Sequence, residues 1–261
     1  MSSVIALSWA VKSDAGLRRS SNEDSYSTRP QVGLYVVADG MGGHVAGEVA
    51  SRVAVEAIAA FIEETASADK NRTWPFPFEP SLSLEANRLK AAFRLANRRI
   101  AAAIADSQDL RGMATTASAM LVGKQHACVA HVGDSRVYVL RENGELGQIT
   151  HDHSWVEEQV RAGAMTPTAA RQHPWRNVVT RALSGGDDPE VDVVEVKPAK
   201  GERYLLCSDG LFSVVPDSGI ADVLGDRRLS LEQVCERLIE SANQAGGPDN
   251  ITTLVLQVDA P

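Results

Sequence analysis

The pattern of apolar and polar positions divides the chain into helical and strand-like stretches in a mixed order. Apolar residues spaced three and four apart predict helices over about 45–64 and 84–106. We expect the buried faces of these helices at Val49, Val53, Ala57 and Phe61, and at Leu89, Phe93, Ala96, Ile100 and Ile104. Residues 4–12 are predicted to form a first strand, followed by an irregular loop through Asp24.

The middle of the chain changes to short strands separated by turn residues. Strands are predicted at 116–122, 127–132, 136–141 and 147–150, with a hairpin turn at Asn143-Gly144. Beyond residue 150, capping patterns indicate helices starting at Ser154, Thr166 and Ser230, and a final strand covers 251–258. Consecutive strands without intervening helices exclude a purely doubly wound parallel sheet and favour helices packed outside an antiparallel core.

Four aspartates lie where predicted strands meet glycine-bearing loops. Asp39 ends the apolar run 34–38, Asp209 follows the run 204–207, Asp134 follows Val132-Gly133, and Asp249 precedes the last strand. One Asp-Gly pair is an ordinary turn, but four such positions predict a carboxylate cluster at one edge of the sheets. Such a cluster repels itself unless cations neutralise it, and oxygen ligands without cysteine or histidine at ligand spacing favour Mg²⁺ or Mn²⁺.

Composition narrows the class of protein. The hydrophobic fraction of 44% supports a sizeable core, and the net charge of −8 argues against general nucleic-acid binding or adhesion to anionic membranes. The three cysteines are far apart, no apolar run is long enough to span a bilayer, and the first ten residues lack the features of a signal peptide. We therefore expect a soluble cytoplasmic protein.

Six motifs, most of them with charged residues and glycines, follow one another along the chain. They are Gly16-Leu17-Arg18-Arg19-Ser20-Ser21-Asn22-Glu23-Asp24, Asp39 to His44, Met113-Ala114-Thr115-Thr116, Gly133-Asp134-Ser135-Arg136, Ser208-Asp209-Gly210 and Gly247-Pro248-Asp249-Asn250-Ile251-Thr252. Their order resembles that of the metal-dependent Ser/Thr protein phosphatases of type 2C, in their bacterial form. The resemblance implies an α+β fold, a central antiparallel β-sandwich with helices on both faces (four layers, αββα) and the metal site at one end. It also implies a single domain over 1–261, with a flap subdomain at about 151–188 beside the active site.

The resemblance assigns roles to individual residues. It implies that Asp39 bridges two Mn²⁺ or Mg²⁺ ions, that the Gly40 carbonyl adds a ligand to one, and that Asp209 and Asp249 hold the other. Asp134 together with Asp209 corresponds to a third, weaker metal position. Glu23 and Asp24 correspond to outer-shell acids that act through bound water, and Arg19 to the residue that binds substrate phosphate, while Arg18 is expected on the surface. A guanidinium suits that task because its planar fork donates two parallel hydrogen bonds to phosphate oxygens.

The implied reaction is hydrolysis of phosphoserine and phosphothreonine by a hydroxide that bridges the two ions, reversing the action of a Ser/Thr kinase. The expected partners are phosphorylated proteins and a cognate kinase, and the expected state is a monomer. Trp155, Trp175 and Arg176 in the flap are candidates for contact with the protein substrate, with surface packing as the alternative for each. Thr115 and Thr116 carry no charge and are interpreted as structural.

Several alternatives remain open at this point. Met41 directly follows Asp39-Gly40 and its thioether cannot donate a proton, so the leaving group takes its proton from a metal-bound water or from His44, unless His44 has no chemical role. His151 and His153 are weak candidates for a separate metal site. The rival functions are hydrolysis of a small phosphoester or nucleotide, and a binding module without turnover. The first has no Walker A or GxGxxG motif to support it, and the second predicts lost carboxylates, whereas all four are present.

Overall fold

The structure, a computed structural model, describes residues 5–42, 45–67 and 74–260. Ten antiparallel strands form two sheets, and a short eleventh strand, β4, pairs with the end of β3. The strands are β1 (Ala6–Asp14), β2 (Asp24–Arg29), β3 (Leu34–Met41), β4 (Ala114–Thr115), β5 (Ala117–Val122), β6 (Ala127–Val132), β7 (Arg136–Leu140), β8 (Leu146–Gln148), β9 (Asp192–Val196), β10 (Arg203–Cys207) and β11 (Ile251–Ala260).

The helices lie outside the two sheets. They are α1 (Ala46–Glu64), α2 (Leu84–Asp106), α3 (Trp155–Arg161), α4 (Pro167–Gln172), α5 (Asp209–Phe212), α6 (Asp217–Gly225) and α7 (Leu231–Gln244). Side chains cap several of them as the sequence predicts: Ser154 and Thr166 accept hydrogen bonds from the first turns of α3 and α4, and Ser230 and Gln233 form a reciprocal capping box on α7. Within the described ranges, none of the helices combines the length and the apolar character needed to cross a membrane.

Three apolar layers hold the architecture together. Sheet I has the order β1-β11-β10-β7-β8 and sheet II the order β2-β3-β5-β6-β9. One layer, which includes Tyr35, Val129 and Leu254, lies between the two sheets; a second joins sheet II to α1 and α2, and a third joins sheet I to α5, α6 and α7. The predicted αββα sandwich is therefore confirmed.

The structure corrects several local predictions. The stretch before Asp24 is irregular as expected, but Asp24 itself begins strand β2, which was not predicted, and β9 was also missed. Helix α1 buries a wider face than expected, centred on Ala50, Ala54 and Ile58, while Val49, Val53 and Ala57 are only partly buried. The reason is that α1 packs against both β3 and α2, so that small alanines lie at the closest approach and the larger valines at the margin.

The aromatic segment 74–78, between α1 and α2, packs against the outer side of these two helices. Phe76 is buried with the Arg98 guanidinium 4.3 Å above its ring, and the Trp74 ring lies 6.4 Å from that of Phe61. The Trp74 and Phe76 rings therefore attach this segment to α1 and α2.

Candidate metal centre

The predicted carboxylates converge at one end of the sandwich, and they come from both sheets. Strand β3 was expected to end at Ala38, but it continues through Asp39 to Met41 because β4 pairs with it there. Asp39 is therefore held within a sheet rather than in a loop. Its backbone is hydrogen-bonded on both sides by Thr116, and the Thr115 hydroxyl donates to its carbonyl at 2.8 Å. These contacts give the two threonines a structural role.

Asp24 lies directly opposite Asp39 in the pairing of β2 with β3. Residues opposite each other in an antiparallel pair point to the same face. Asp24 is 8% exposed, and its Oδ2 accepts hydrogen bonds from the hydroxyls of Ser208 at 2.7 Å and Thr252 at 2.6 Å. Its Oδ1 is buried and has no hydrogen-bond partner among the described residues. A buried carboxylate oxygen without a partner is a position that a cation or its bound water satisfies.

Asp209 and Asp249 are contributed by the loops at the end of sheet I. Strand β10 ends at Cys207, so that Asp209 is the first residue of α5 rather than the end of the strand. A Cβ on Gly210 would lie 2.0 Å from the Asn250 carbonyl oxygen, which shows that the two loops touch through their backbones. Asp209 Oδ1 is also buried without a partner among the residues described.

Asn250 connects the loops that surround the carboxylates. Its side chain donates to the carbonyls of Ala15 at 3.0 Å and Ser21 at 2.8 Å, and accepts from the backbone N–H of Glu23 at 2.8 Å. Its own N–H donates to Asp249 Oδ1 at 2.9 Å. The sequence placed Asn250 in a motif without a role, and the structure shows that it fixes the first motif to the last.

The carboxylates affect one another strongly. Burial raises the pKa of Asp39 well above its ordinary value, and repulsion from Asp24, Asp209, Asp134 and Asp249 raises it further. Burial is also the main cause for Asp24, with a pKa of about 7, for Asp134, with a pKa of about 8, and for Asp209, with a pKa of about 6. Asp209 adds to the pKa rise of Asp24 and Asp134, and Asp249 adds to that of Asp209. This end of the molecule therefore disfavours its own negative charge, and bound divalent cations would relieve that cost.

Arg19 and Glu23 lie at the rim of the cluster. The Arg19 guanidinium donates to Asp249 Oδ2 at 2.7 Å, and its side chain is 54% exposed. Glu23 packs against the start of α1, where a Cβ on Gly47 would lie 1.8 Å from Glu23 Oε2. Both residues are beside the carboxylates, as the sequence predicted, and Arg18 is exposed. Met41 ends β3, and His44, the alternative proton donor, lies outside the described residues.

The ion pair between Arg136 and Asp152, near the cluster, was not predicted from the sequence. Arg136 donates to both oxygens of Asp152, from Nε at 2.9 Å and from Nη2 at 2.7 Å, and its guanidinium lies 3.7 Å above the Phe212 ring. The sequence placed Arg136 in a motif without a role. The structure shows that it ties the segment after β8 to α5.

The histidine alternative is changed by the structure. His151 is exposed and only its carbonyl takes part, accepting from His131 Nε2 at 2.9 Å. His153 instead groups with His131 and Asp192, whose candidate ligand atoms all lie within 4.8 Å of one another. Burial lowers the pKa of both imidazoles, that of His131 to about 4, and keeps them neutral near pH 7. The predicted pair of His151 and His153 does not form.

A cleft opens from the carboxylates towards the segment 151–188. It has a volume of about 430 Å³, with Asp134 and Asp209 at one end. Helices α3 and α4 form one wall, and the stretch from Phe212 to Asp217 forms the other. Arg171 and Arg176 line the cleft as well, and so do the acidic residues Glu157 and Asp217, so that side chains of both charges face it beyond the carboxylate cluster. The Trp155 and Trp175 rings lie 4.9 Å apart nearby, and Trp175 is 55% exposed.

Comparison with known proteins identifies similar chains over nearly the whole length. A family model described as "Protein phosphatase 2C" matches residues 17–254. The serine/threonine protein phosphatase PstP of Mycobacterium tuberculosis is 41% identical over 258 residues, which cover 97% of this chain and 45% of that protein. The serine/threonine phosphatase stp of Listeria welshimeri is 36% identical over 252 residues, with 94% of each chain covered.

Solved structures agree with these matches. The crystal structure of M. tuberculosis PstP/Ppp superposes with a TM-score of 0.85 at 38% identity, covering 97% of this chain and 99% of that one. A structure of the PstP catalytic domain in complex with two manganese ions gives a TM-score of 0.80 with the same coverage and identity.

Proposed function

Because the chain belongs to the protein phosphatase 2C family, we propose that it is a metal-dependent phosphatase that hydrolyses phosphoserine and phosphothreonine in proteins. The observation that carries this proposal is the convergence of Asp39, Asp134, Asp209 and Asp249 at one end of the sandwich, where burial and the neighbouring carboxylates raise the pKa of Asp39, Asp134 and Asp209. Phosphomonoesters are anions, so that a site made of carboxylates alone would repel them. A phosphatase built on this site requires cations.

The donor set fits two divalent ions of the hard, oxygen-binding kind. All the candidate ligands are carboxylate or carbonyl oxygens, and buried oxygens of Asp24 and Asp209 lack partners among the described residues. Asp39 and the Gly40 carbonyl would hold one ion, and Asp209 and Asp249, together with Asp39, would hold the other. Asp134 with Asp209 would hold a third ion more weakly, and Glu23 and Asp24 would act through bound water. Such ions, when bound, activate water and neutralise the phosphate charge.

Arg19 is proposed to bind the substrate phosphate. Its guanidinium lies beside Asp249 at the rim, and more than half of its side chain is exposed. The Arg19 side chain can therefore contact a phosphate that enters from solvent and still stay beside Asp249. A planar guanidinium binds phosphate in bidentate fashion, which a lysine at this position would not do.

The cleft beside the cluster is proposed to receive the peptide chain around the phosphorylated residue. It leads from Asp134 and Asp209 past Arg171 and Arg176 of the flap. A folded protein substrate would present such a segment as an exposed loop or tail, and the neighbouring Trp175 offers an exposed ring for packing. The partners we propose are phosphorylated proteins and a cognate Ser/Thr kinase, with the enzyme acting as a cytoplasmic monomer of one domain.

The test is release of phosphate from a phosphothreonine peptide with Mn²⁺, with Mg²⁺ and with EDTA. A phosphotyrosine peptide and a nucleoside triphosphate are assayed in parallel, and Asp39→Asn serves as the variant with a damaged site. Release that depends on metal, prefers phosphothreonine and disappears in Asp39→Asn supports the proposal. Release mainly from the nucleotide would indicate a small-molecule hydrolase. No release from any substrate, with Mn²⁺ binding still seen by calorimetry, would indicate a binding module.

A further inference from the structure

His153 holds the backbone that carries Asp134. It is 3% exposed and lies shortly after β8, at the start of the flap segment. Its N–H donates to the Gly133 carbonyl at 3.0 Å, and the Gly133 N–H donates to His153 Nδ1 at 3.1 Å. Both polar backbone groups of the residue before Asp134 are therefore bound by this one histidine.

The other side of the His153 ring is fixed as well. Because Nδ1 accepts a hydrogen bond, the neutral imidazole carries its proton on Nε2. That nitrogen lies 3.2 Å from Asp192 Oδ2 and donates to it, and Asp192 is itself paired with Arg181 at 3.4 Å. The His131 ring stacks on that of His153 with centroids 4.7 Å apart and planes at 20°. Orientation, tautomer and ring plane are all determined by neighbours.

The same three side chains have the spacing of a metal site, since their candidate ligand atoms lie within 4.8 Å of one another. The hydrogen bonds argue against that use. To bind a cation through Nε2 while Nδ1 accepts from Gly133, the His153 ring would have to lose its remaining proton and become an imidazolate. The Arg181 guanidinium also lies 3.5 Å from Nε2, which places a positive charge where the ion would be.

Asp134 depends on His153 because few hydrogen bonds hold the Asp134 carboxylate itself. Among the residues that the structure describes, no other side chain donates a hydrogen bond to the Asp134 carboxylate, so its position follows from the loop backbone. On the far side of Asp134, Ser135 is held by the Thr116 hydroxyl at 2.6 Å and by the Ser118 hydroxyl at 2.6 Å. Gly133 has a φ of +102°, and a Cβ there would lie 2.5 Å from the Thr116 side chain. The backbone of this loop is therefore closely constrained, and His153 holds it on the Gly133 side.

We infer that His153 is a positioning residue for Asp134, and that the chain Asp192–His153–Gly133 sets the affinity of the weakest cation position. This inference rests on the proposed function, because it takes Asp134 to be a ligand of that third cation position. It connects the end of the flap segment to the metal centre, because Thr180 N–H donates to the His153 carbonyl at 2.8 Å and Arg181 pairs with Asp192. Residues that orient a ligand from behind are typically worth 10–100-fold in metal affinity.

Two variants of His153 separate the two hydrogen bonds of the ring. In His153→Asn the side-chain oxygen is attached at Cγ, as Nδ1 is, and can still accept from the Gly133 N–H, but the amide does not reach Asp192. In His153→Gln the amide reaches Asp192 but has no acceptor at the Nδ1 position. We expect His153→Gln to weaken the weakest Mn²⁺-binding step by about tenfold in calorimetry, and His153→Asn to retain most of the affinity. The Mn²⁺ concentration for half-maximal activity should follow the same order, with little change in KM for the peptide.

Hydrogen exchange of the Gly133 amide supplies a readout that does not depend on catalysis. In protein without metal, exchange should become faster in His153→Gln and stay slow in His153→Asn. Equal loss in both variants, or loss only in His153→Asn, would overturn the inference, because either result would place the effect in packing or in the Asp192 contact alone. If neither His153 variant folds, Asp192→Ala against Asp192→Asn tests the same chain. Without an acceptor at residue 192 the His153 imidazole can move its proton from Nε2 to Nδ1 and lose the hydrogen bond from the Gly133 N–H, so weaker Mn²⁺ binding is expected only for the alanine, because the asparagine oxygen still accepts from Nε2. Equal Mn²⁺ affinity in that pair would equally overturn it.

The wild-type assay distinguishes this inference from the proposed function. If the wild-type protein releases no phosphate from any substrate but binds Mn²⁺, the proposed function fails. The order of Mn²⁺ affinities and of Gly133 exchange rates among the variants still decides the role of His153.

Discussion

The buried carboxylate of Asp24 offers a measurable link between charge and stability. We expect Asp24→Asn to stabilise the metal-free protein at alkaline pH and to do so much less in acid. The folded structure raises the pKa of Asp24 from 3.8 to about 7, chiefly because the side chain is buried. A raised folded-state pKa means that the folded protein holds its proton more tightly than the unfolded chain, so that stability falls as pH rises from about 4 to about 7 and is then constant.

The magnitude follows from the pKa values in the folded and unfolded states. With a pKa of 3.8 in the unfolded chain and about 7 in the folded protein, Asp24 lowers the free energy of unfolding by about 4 kcal/mol at pH 8. At pH 5, where the unfolded carboxyl is ionised and the folded one keeps its proton, the loss is about 2 kcal/mol. Asparagine carries no such cost. Its oxygen can still accept from Ser208 and Thr252, while its NH₂ replaces an oxygen that has no partner among the described residues, at a cost of about 1–3 kcal/mol. That cost does not depend on pH, so it cancels when the two pH values are compared.

The assay is urea unfolding in EDTA at pH 5 and pH 8, followed by circular dichroism. The free energy of unfolding of Asp24→Asn, relative to wild type, should rise by about 2–3 kcal/mol between pH 5 and pH 8. Asp109→Asn, an exposed site outside the cluster, is the matched control and should show no such change. A difference between wild type and Asp24→Asn that is the same at both pH values would refute the reasoning. Saturating Mn²⁺ should reduce or reverse the advantage of the variant, because the cations then compensate the carboxylate charge.

Three further predictions concern single side chains. Asp209→Ala should lower phosphate release at least about 100-fold, since it removes a proposed ligand of the metal, with the far-ultraviolet circular dichroism spectrum unchanged; retained turnover would contradict its assignment. Arg19→Ala should raise KM for a phosphothreonine peptide about tenfold through loss of the bidentate phosphate contact, whereas the exposed neighbour Arg18→Ala should leave KM unchanged in the same steady-state assay. Arg88→Met should destabilise the protein by about 2–4 kcal/mol in urea, because the buried guanidinium donates to the Ile62 carbonyl at 2.7 Å and closes the end of α1; a loss below about 0.5 kcal/mol would show that the contact is dispensable.

The sequence predicted those parts of the fold whose patterns are local. Helix α2 was predicted with the bounds that the structure has, because its apolar residues repeat along one face; the cap at Ser83 is seen only in the structure. Strands β5, β6 and β7 were predicted because turn residues separate them. The layered arrangement came from the resemblance to type 2C phosphatases, and the structure confirms it.

The missed elements depend on contacts that are distant in the sequence. Strand β2 is polar along much of its length, DSYSTR, and it exists because β3 supplies its hydrogen-bond partner. Strand β9 likewise pairs with β6 across a separation of more than sixty residues. The continuation of β3 through Gly40 depends on β4, a strand of two residues. No local pattern could have indicated these pairings.

For the site, the sequence identified the charged residues but not the neutral ones that hold them. The four aspartates and Arg19 stand at strand ends and in motifs, which is a local signal. The roles of Asn250, Ser208 and Thr252 follow from hydrogen bonds between segments that are more than 180 residues apart in the chain. His153 and Asp192 are 39 positions apart, so the local pattern indicated His151 as the partner of His153 instead.

The origin of the carboxylates in two different sheets has a consequence for the lifetime of the folded state. Asp39 is carried by sheet II, Asp209 and Asp249 by the end of sheet I, and Asp134 by the short connection where the chain passes from one sheet to the other. Without cations, mutual repulsion of these carboxylates would favour separation of the two sheets at this end, against the apolar layer that holds them together. Bound ions would hold the two sheets together at this end, because their ligands come from both sheets. Proteases should therefore cut the loops at this end quickly in EDTA and slowly in Mn²⁺. In a cell, the supply of divalent cations would then govern how long each molecule survives, as well as whether it is active.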